Sequence, residues 1–195
     1  VVPFVGLTGG LGSGKSTALA ALGRLGAEVI SSDEIVHRLY GESQLRDAVT
    51  ARFGAEVAPG GTVDRARLAE RAFATAADRE WLEQLLWPLV GARVAAWLEQ
   101  VRSERPEPRA AVVEVPLLFE AGLQDAYDAT IAVLADEQLR RSRAAARGHA
   151  VIDERAARQL SQEEKARRAT YVVRNDGTVE DLERELSAVL AKLGR

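Results

Sequence analysis

Val2-Pro3-Phe4-Val5-Gly6-Leu7-Thr8-Gly9-Gly10-Leu11-Gly12-Ser13-Gly14-Lys15-Ser16-Thr17 runs from an apolar stretch into glycines and ends on a lysine followed by two hydroxyl side chains. Residues 2–8 read as a buried strand, and residues 16–25 carry helix formers up to a stop at Gly26. Between them the pattern G-x-x-x-x-G-K-[ST], from Gly9 to Ser16, stands in the strand–loop–helix context that it requires. Glycines let successive backbone N–H groups turn inward as an anion nest, and a helix N-terminus adds partial positive charge toward bound phosphate. In such a loop Lys15 reaches the β- and γ-phosphates and the Ser16 hydroxyl ligates Mg²⁺, while Gly12, Ser13, Gly14 and Thr17 complete the nucleotide cradle. A glycine turn that merely joins strand to helix is the structural alternative.

Moving outward, Glu28–Ser31 reads as a second strand, with Asp33 and Glu34 opening a helix that runs to about Tyr40. Residues 42–104 show no strand pattern; Leu68, Ala72, Leu82, Leu86, Leu89 and Val90 recur at helical spacing, which predicts a helical insertion. Trp81, Trp87 and Trp97 in this stretch read as packing residues more readily than as ligand platforms. Residues 110–115 and Ala129–Leu134 are further buried strands, 136–168 is helical and arginine-rich, 171–173 is a short strand, and a last helix opens at Thr178. Strands alternating with helices predict an α/β fold with a doubly wound parallel sheet and ligand at the carboxyl ends of its strands.

Composition narrows the function. The 195 residues, 47% hydrophobic and 28% charged, suit one globular unit with a small insertion. With 26 basic against 29 acidic residues the net charge is −3, so nucleic acid is not the expected partner. The absence of cysteine removes disulfides and thiolate metal sites. The apolar start is too short for a signal peptide or membrane span, so a soluble, cytoplasmic protein without a membrane partner is expected. The chain has no D-x-x-G and its one asparagine, Asn175, is not followed by lysine, which disfavours a GTPase and favours a small-molecule kinase. Such a kinase needs a carboxylate to accept the proton of the attacking hydroxyl, and Asp33, after the second strand, qualifies; a helix N-terminal role for Asp33 is compatible. Arg140, Arg141, Arg143 and Arg147 read as a lid that shields transferring charge, or else as a solvated basic face.

The chain resembles the dephospho-CoA kinase family. The resemblance is carried by residues 6–17, by Ser32-Asp33-Glu34-Ile35, by Val63-Asp64-Arg65 with Leu68-Ala69, and by Pro116-Leu117-Leu118-Phe119-Glu120. Gln138 with Arg141, Gln159, and Asn175-Asp176-Gly177 add to it. It implies a P-loop kinase-like fold that uses ATP and Mg²⁺ to phosphorylate the 3′-hydroxyl of dephospho-coenzyme A. Residues 1–41 and 109–195 would form the nucleotide-binding core, 42–108 a helical coenzyme A-binding subdomain, and about 136–168 a lid. The resemblance further implies Asp33 as base, with Lys15 and Arg141 also catalytic, and Asn175 near the adenine. Thr8, Asp33, Asp64, Arg65, Leu117, Leu118 and Glu120 would lie on the acceptor side. The chain departs from the family pattern at Ser31, Glu114 and Thr170, where aspartate is usual, and at Trp87, where histidine is usual. Another small-molecule kinase, or a P-loop protein that only binds nucleotide, stays open on the residues alone.

Overall fold

The computed structural model describes residues 1–146 and 158–194. Its centre is a five-stranded, all-parallel sheet in the order β2-β3-β1-β4-β5. The strands are β1 (Phe4–Gly9), β2 (Glu28–Ser31), β3 (Ala111–Glu114), β4 (Ala129–Leu134) and β5 (Tyr171–Arg174). β1 lies between β3, with Val5 opposite Val112, and β4, with Leu7 opposite Ile131. A strand flanked on both sides in a sheet covered by helices is apolar throughout, and Val5, Leu7, Val112, Ile131 and Val133 are wholly buried.

Helix α1 (Lys15–Arg24) follows β1 directly, and the last helix of the chain, α8 (Val179–Leu193), packs beside it. Ala18, Ala21 and Leu22 of α1 and Leu182, Leu186 and Leu190 of α8 form one apolar cluster with the sheet. α8 starts where the sequence places it: Thr178 Oγ1 accepts from the Asp181 N–H at 3.2 Å while Asp181 Oδ2 accepts from the Thr178 N–H at 3.0 Å. α6 (Glu137–Ala146) and α7 (Gln162–Arg168) lie after β4, on either side of residues 147–157.

By compactness the chain divides into a sheet unit, Val1–Ser31 with Leu98–Arg195, and a helical unit, Ser32–Trp97. The helical unit holds α2 (Ser32–Leu39), α3 (Ser43–Phe53), α4 (Arg65–Ala72) and most of α5 (Ala76–Ser103). The sequence assigned α2 to the sheet side of a boundary at 42. In the structure it groups with the helices, where Arg65 of α4 lies 3.4 Å from His37 Nδ1. Trp81 packs as expected, edge-on to Phe53 with ring centroids 5.5 Å apart, whereas Trp87 is 54% exposed.

Candidate active site

The phosphate loop spans residues 10–14 between β1 and α1. Gly12 (φ 74°) and Gly14 (φ 90°) adopt left-handed conformations that L side chains resist. Space demands glycine as well: a Cβ on Gly14 would stand 2.0 Å from Asn175 Nδ2, and one on Gly12 would stand 2.4 Å from the Arg140 carbonyl oxygen. The loop is therefore clasped from outside. Asn175, just past β5 and 6% exposed, donates its side-chain N–H to the Ser13 carbonyl at 2.9 Å. Gln159 Oε1 accepts from the Leu11 N–H at 3.0 Å, and Arg140 Nε donates to the Leu11 carbonyl at 2.9 Å.

Inside that clasp the loop is left incomplete. Helix α1 begins at Gly14 with no side chain capping it, so its first N–H groups have no partner of that kind. Ser13 Oγ is buried and has no hydrogen-bond partner among the described residues. An orphan hydroxyl beside an uncapped helix N-terminus, in a loop whose glycines leave no room for a Cβ against the clasping residues, fits a phosphate chain. Lys15, half-buried, extends along the loop, its Nζ donating to the Gly10 carbonyl at 3.2 Å. Ser16 is exposed on the first turn of α1. No group of three or more His, Asp or Glu among the described residues forms a metal cage. A divalent ion here would rely on Ser16, on water and on phosphate oxygens, the usual manner of Mg²⁺.

The arginines of α6 sort themselves by phase. Arg140 reaches Leu11 while Arg143 donates to the Asn175 carbonyl at 3.0 Å, so both stand at the loop. Arg141, the one singled out from the sequence, is 80% exposed and pairs with Glu137 at 3.1 Å. Arg147 lies outside the described residues.

The segment after β3 is organised by a residue to which the sequence reading gave no role. Lys165 of α7 is fully buried and donates to Thr8 Oγ1 (3.3 Å), to the Pro116 carbonyl (3.0 Å) and to Glu120, whose Oε1 lies 2.8 Å away. Glu120 also accepts from the Leu160 N–H at 2.7 Å, and Thr8 donates to the Pro116 carbonyl at 3.2 Å. Burial pushes the Lys165 ammonium below the ordinary lysine value, and the Glu120 carboxylate beside it pulls it back up. Thr8 and Glu120, both named from the sequence, thus meet in the sheet unit through Lys165; in the same segment as Glu120, Leu118 is buried and Leu117 half-buried. A lysine among polar residues gave no signal except that it is one of three in the chain.

In the helical unit, Asp33 is exposed in the first turn of α2, where a carboxylate suits the helix dipole. Asp64 is the N-cap of α4, accepting from Ala66 N–H at 3.0 Å and Arg67 N–H at 3.1 Å, and Arg65 is exposed beside it. Asp directly before a helical run is a readable cap signal, which explains Asp64 structurally.

Sheet order, loop and flanking cations together define a P-loop kinase. The family model for dephospho-CoA kinase (CoaE) matches residues 3–181, and the chain belongs to that family. A dephospho-CoA kinase of Deinococcus radiodurans is 41% identical over 192 residues, covering 97% of this chain and 91% of its own. A Thermus thermophilus protein of known crystal structure superposes with TM-score 0.79 at 36% identity, over 99% of both chains. A dephospho-CoA kinase structure from Campylobacter jejuni, 23% identical, shares the fold at TM-score 0.64 over 98% of this chain and 97% of its own.

Proposed function

We propose that this chain transfers the γ-phosphoryl group of ATP to the 3′-hydroxyl of dephospho-coenzyme A, giving coenzyme A and ADP, the last step of coenzyme A synthesis in the cytoplasm. The observation that carries the reading is the incomplete phosphate loop in a member of this family: the orphan Ser13 Oγ and the uncapped start of α1 wait on an anion. No helix among the described residues is long and apolar enough to cross a membrane, and the net charge of −3 fits small-molecule partners better than nucleic acid.

Lys15 and the N–H groups of Gly12, Ser13, Gly14, Ser16 and Thr17 hold the nucleotide phosphates. Ser16 Oγ would hold Mg²⁺, which when bound would supply charge neutralisation to the nucleotide phosphates. Asp33 takes the proton of the 3′-hydroxyl as the new O–P bond forms. Arg140 and Arg143 stand at the loop and shield the charge that develops on transfer; Arg141 joins them in this reading on the family pattern alone. Asn175 serves the nucleotide by fixing the Ser13 carbonyl. On the family pattern, Thr8, Leu117, Leu118 and Glu120 of the sheet unit serve the acceptor, as do Asp64 and Arg65 of the helical unit.

The test is ADP release with ATP and Mg²⁺ in the presence of dephospho-coenzyme A, nucleoside monophosphates or shikimate. Dephospho-coenzyme A alone should stimulate release and gain one phosphate by mass. Asp33→Asn should lower kcat by roughly a hundred- to ten-thousandfold with nucleotide affinity kept. ATP binding without stimulation by dephospho-coenzyme A would overturn the reading.

A further inference from the structure

We propose that Lys165 is a positioning residue for the acceptor: its ammonium locks Thr8 at the end of β1 to residues 116–120 after β3. Through this lock it sets the shape of the surface that receives dephospho-coenzyme A. The proposal rests on the activity proposed above.

An ammonium has three donors, and three acceptors converge on this one: Thr8 Oγ1, the Pro116 carbonyl and the Glu120 carboxylate. Every proton of the group is accounted for, in a side chain with no exposure to solvent. Its own helix is fixed independently. Gln162 both accepts from the Ala135 N–H and donates to the Ala135 carbonyl, each at 2.9 Å, and Ser161 caps α7 by accepting from the Glu164 N–H at 3.1 Å. Lys165 is thus a strut projected from a pinned helix, and the residues at its tip yield to it.

The partners give the strut its functional direction. Residues 116–120 follow β3, the strand paired with β1 on the side away from β4, and Thr8 is the last residue but one of β1 before the phosphate loop. Glu120 extends the lock to the Leu160 N–H, whose neighbour Gln159 holds the Leu11 N–H of the loop. A single buried cation therefore ties acceptor-side residues to the rim of the loop. A core lysine needed only for folding would have no reason to gather these particular groups at the carboxyl edge of the sheet, where an apolar residue would pack at less desolvation cost.

Lys165→Met alone leaves the Glu120 carboxylate buried without its cation, so the decisive comparison is made with that carboxylate absent from both variants, between Glu120→Gln and Lys165→Met/Glu120→Gln. The glutamine oxygen still accepts from the Leu160 N–H in both. Steady-state kinetics with each substrate varied, nucleotide binding by titration calorimetry, and melting temperature are measured for these two, for Lys165→Met and for the wild type. The expected result is a dephospho-coenzyme A KM roughly tenfold higher in the double variant than in Glu120→Gln, with ATP KM within about twofold. Equal acceptor KM in the two variants overturns the proposal. So does a rise of both KM values in step with a falling melting temperature, which is the signature of a merely structural lysine. Absence of dephospho-coenzyme A-dependent ADP release in the wild type overturns the activity instead, and is read in the same experiment.

Discussion

Two of the three lysines stand at the carboxyl edge of the same sheet and do opposite things there. Lys15, half-buried, lies against the carbonyl of its own loop at Gly10, beside an uncapped helix and an orphan hydroxyl. Lys165, fully enclosed, has its donors matched one for one by Thr8, Pro116 and Glu120. The loop side is polar and unfinished; the side after β3 is polar and closed. Chemistry needs the first, because the orphan Ser13 hydroxyl and the uncapped start of α1 can take up an incoming charge, and geometry needs the second, because a closed network holds its shape.

The sharpest way to break this contrast is to remove each cation in turn. Lys15→Ala should lower kcat/KM by roughly a hundred- to a thousandfold while the melting temperature hardly moves. Lys165→Met should reduce unfolding free energy by about 3–5 kcal/mol, since it strands a buried carboxylate, as read by denaturant titration. If both lysines cost stability alike, the division of labour between the two sides fails.

A smaller effect tests how the unfinished loop is held. Gly14→Ala forces a side chain into a left-handed backbone and against Asn175, at about 1–3 kcal/mol, with weaker nucleotide binding. Asn175→Ala orphans the Ser13 carbonyl at about 1–3 kcal/mol. Because the second change also removes the atom that the first collides with, the double variant should be less destabilised than the sum, by about 0.5 kcal/mol or more in a double-mutant cycle of denaturant melts. Strict additivity would mean that Asn175 is not the loop's clasp.

The smallest effect lies far from both lysines. Thr178→Ala deletes the capping box of α8 and should cost about 1 kcal/mol with kcat and both KM values unchanged. Altered kinetics there would show that the packing of α8 against α1 transmits to the loop.

Much of this was readable in one dimension. The strands Glu28–Ser31 and Ala129–Leu134 fall where apolar runs sit between breakers, and the phosphate loop announces itself because its chemistry is local, contained within consecutive residues. What stayed hidden is what folding brings together from afar. Asn175 lies 162 residues from the carbonyl it holds, and Lys165 is 45 residues from Glu120. No periodicity reports such pairs. The arginines were visible as a cluster, but three of them within four positions of α6 leave the helix phase undetermined, and that phase sends Arg140 and Arg143 to the loop while Arg141 faces Glu137 and solvent. The contact of α2 with α4 is of the same kind, because His37 meets Arg65, 28 residues on.

The bare N-terminus of α1 has a thermodynamic corollary. A helix whose cap is missing from the polypeptide borrows it from whatever anion binds there, so the nucleotide becomes a component of the folding equilibrium as well as a reactant. At a hundredfold excess over Kd such a ligand adds about 2.7 kcal/mol to the native state. The durability of this kinase should therefore track the supply of its phosphate donor, and a cell depleted of nucleotide would hold the same chain in a form that proteases open more easily.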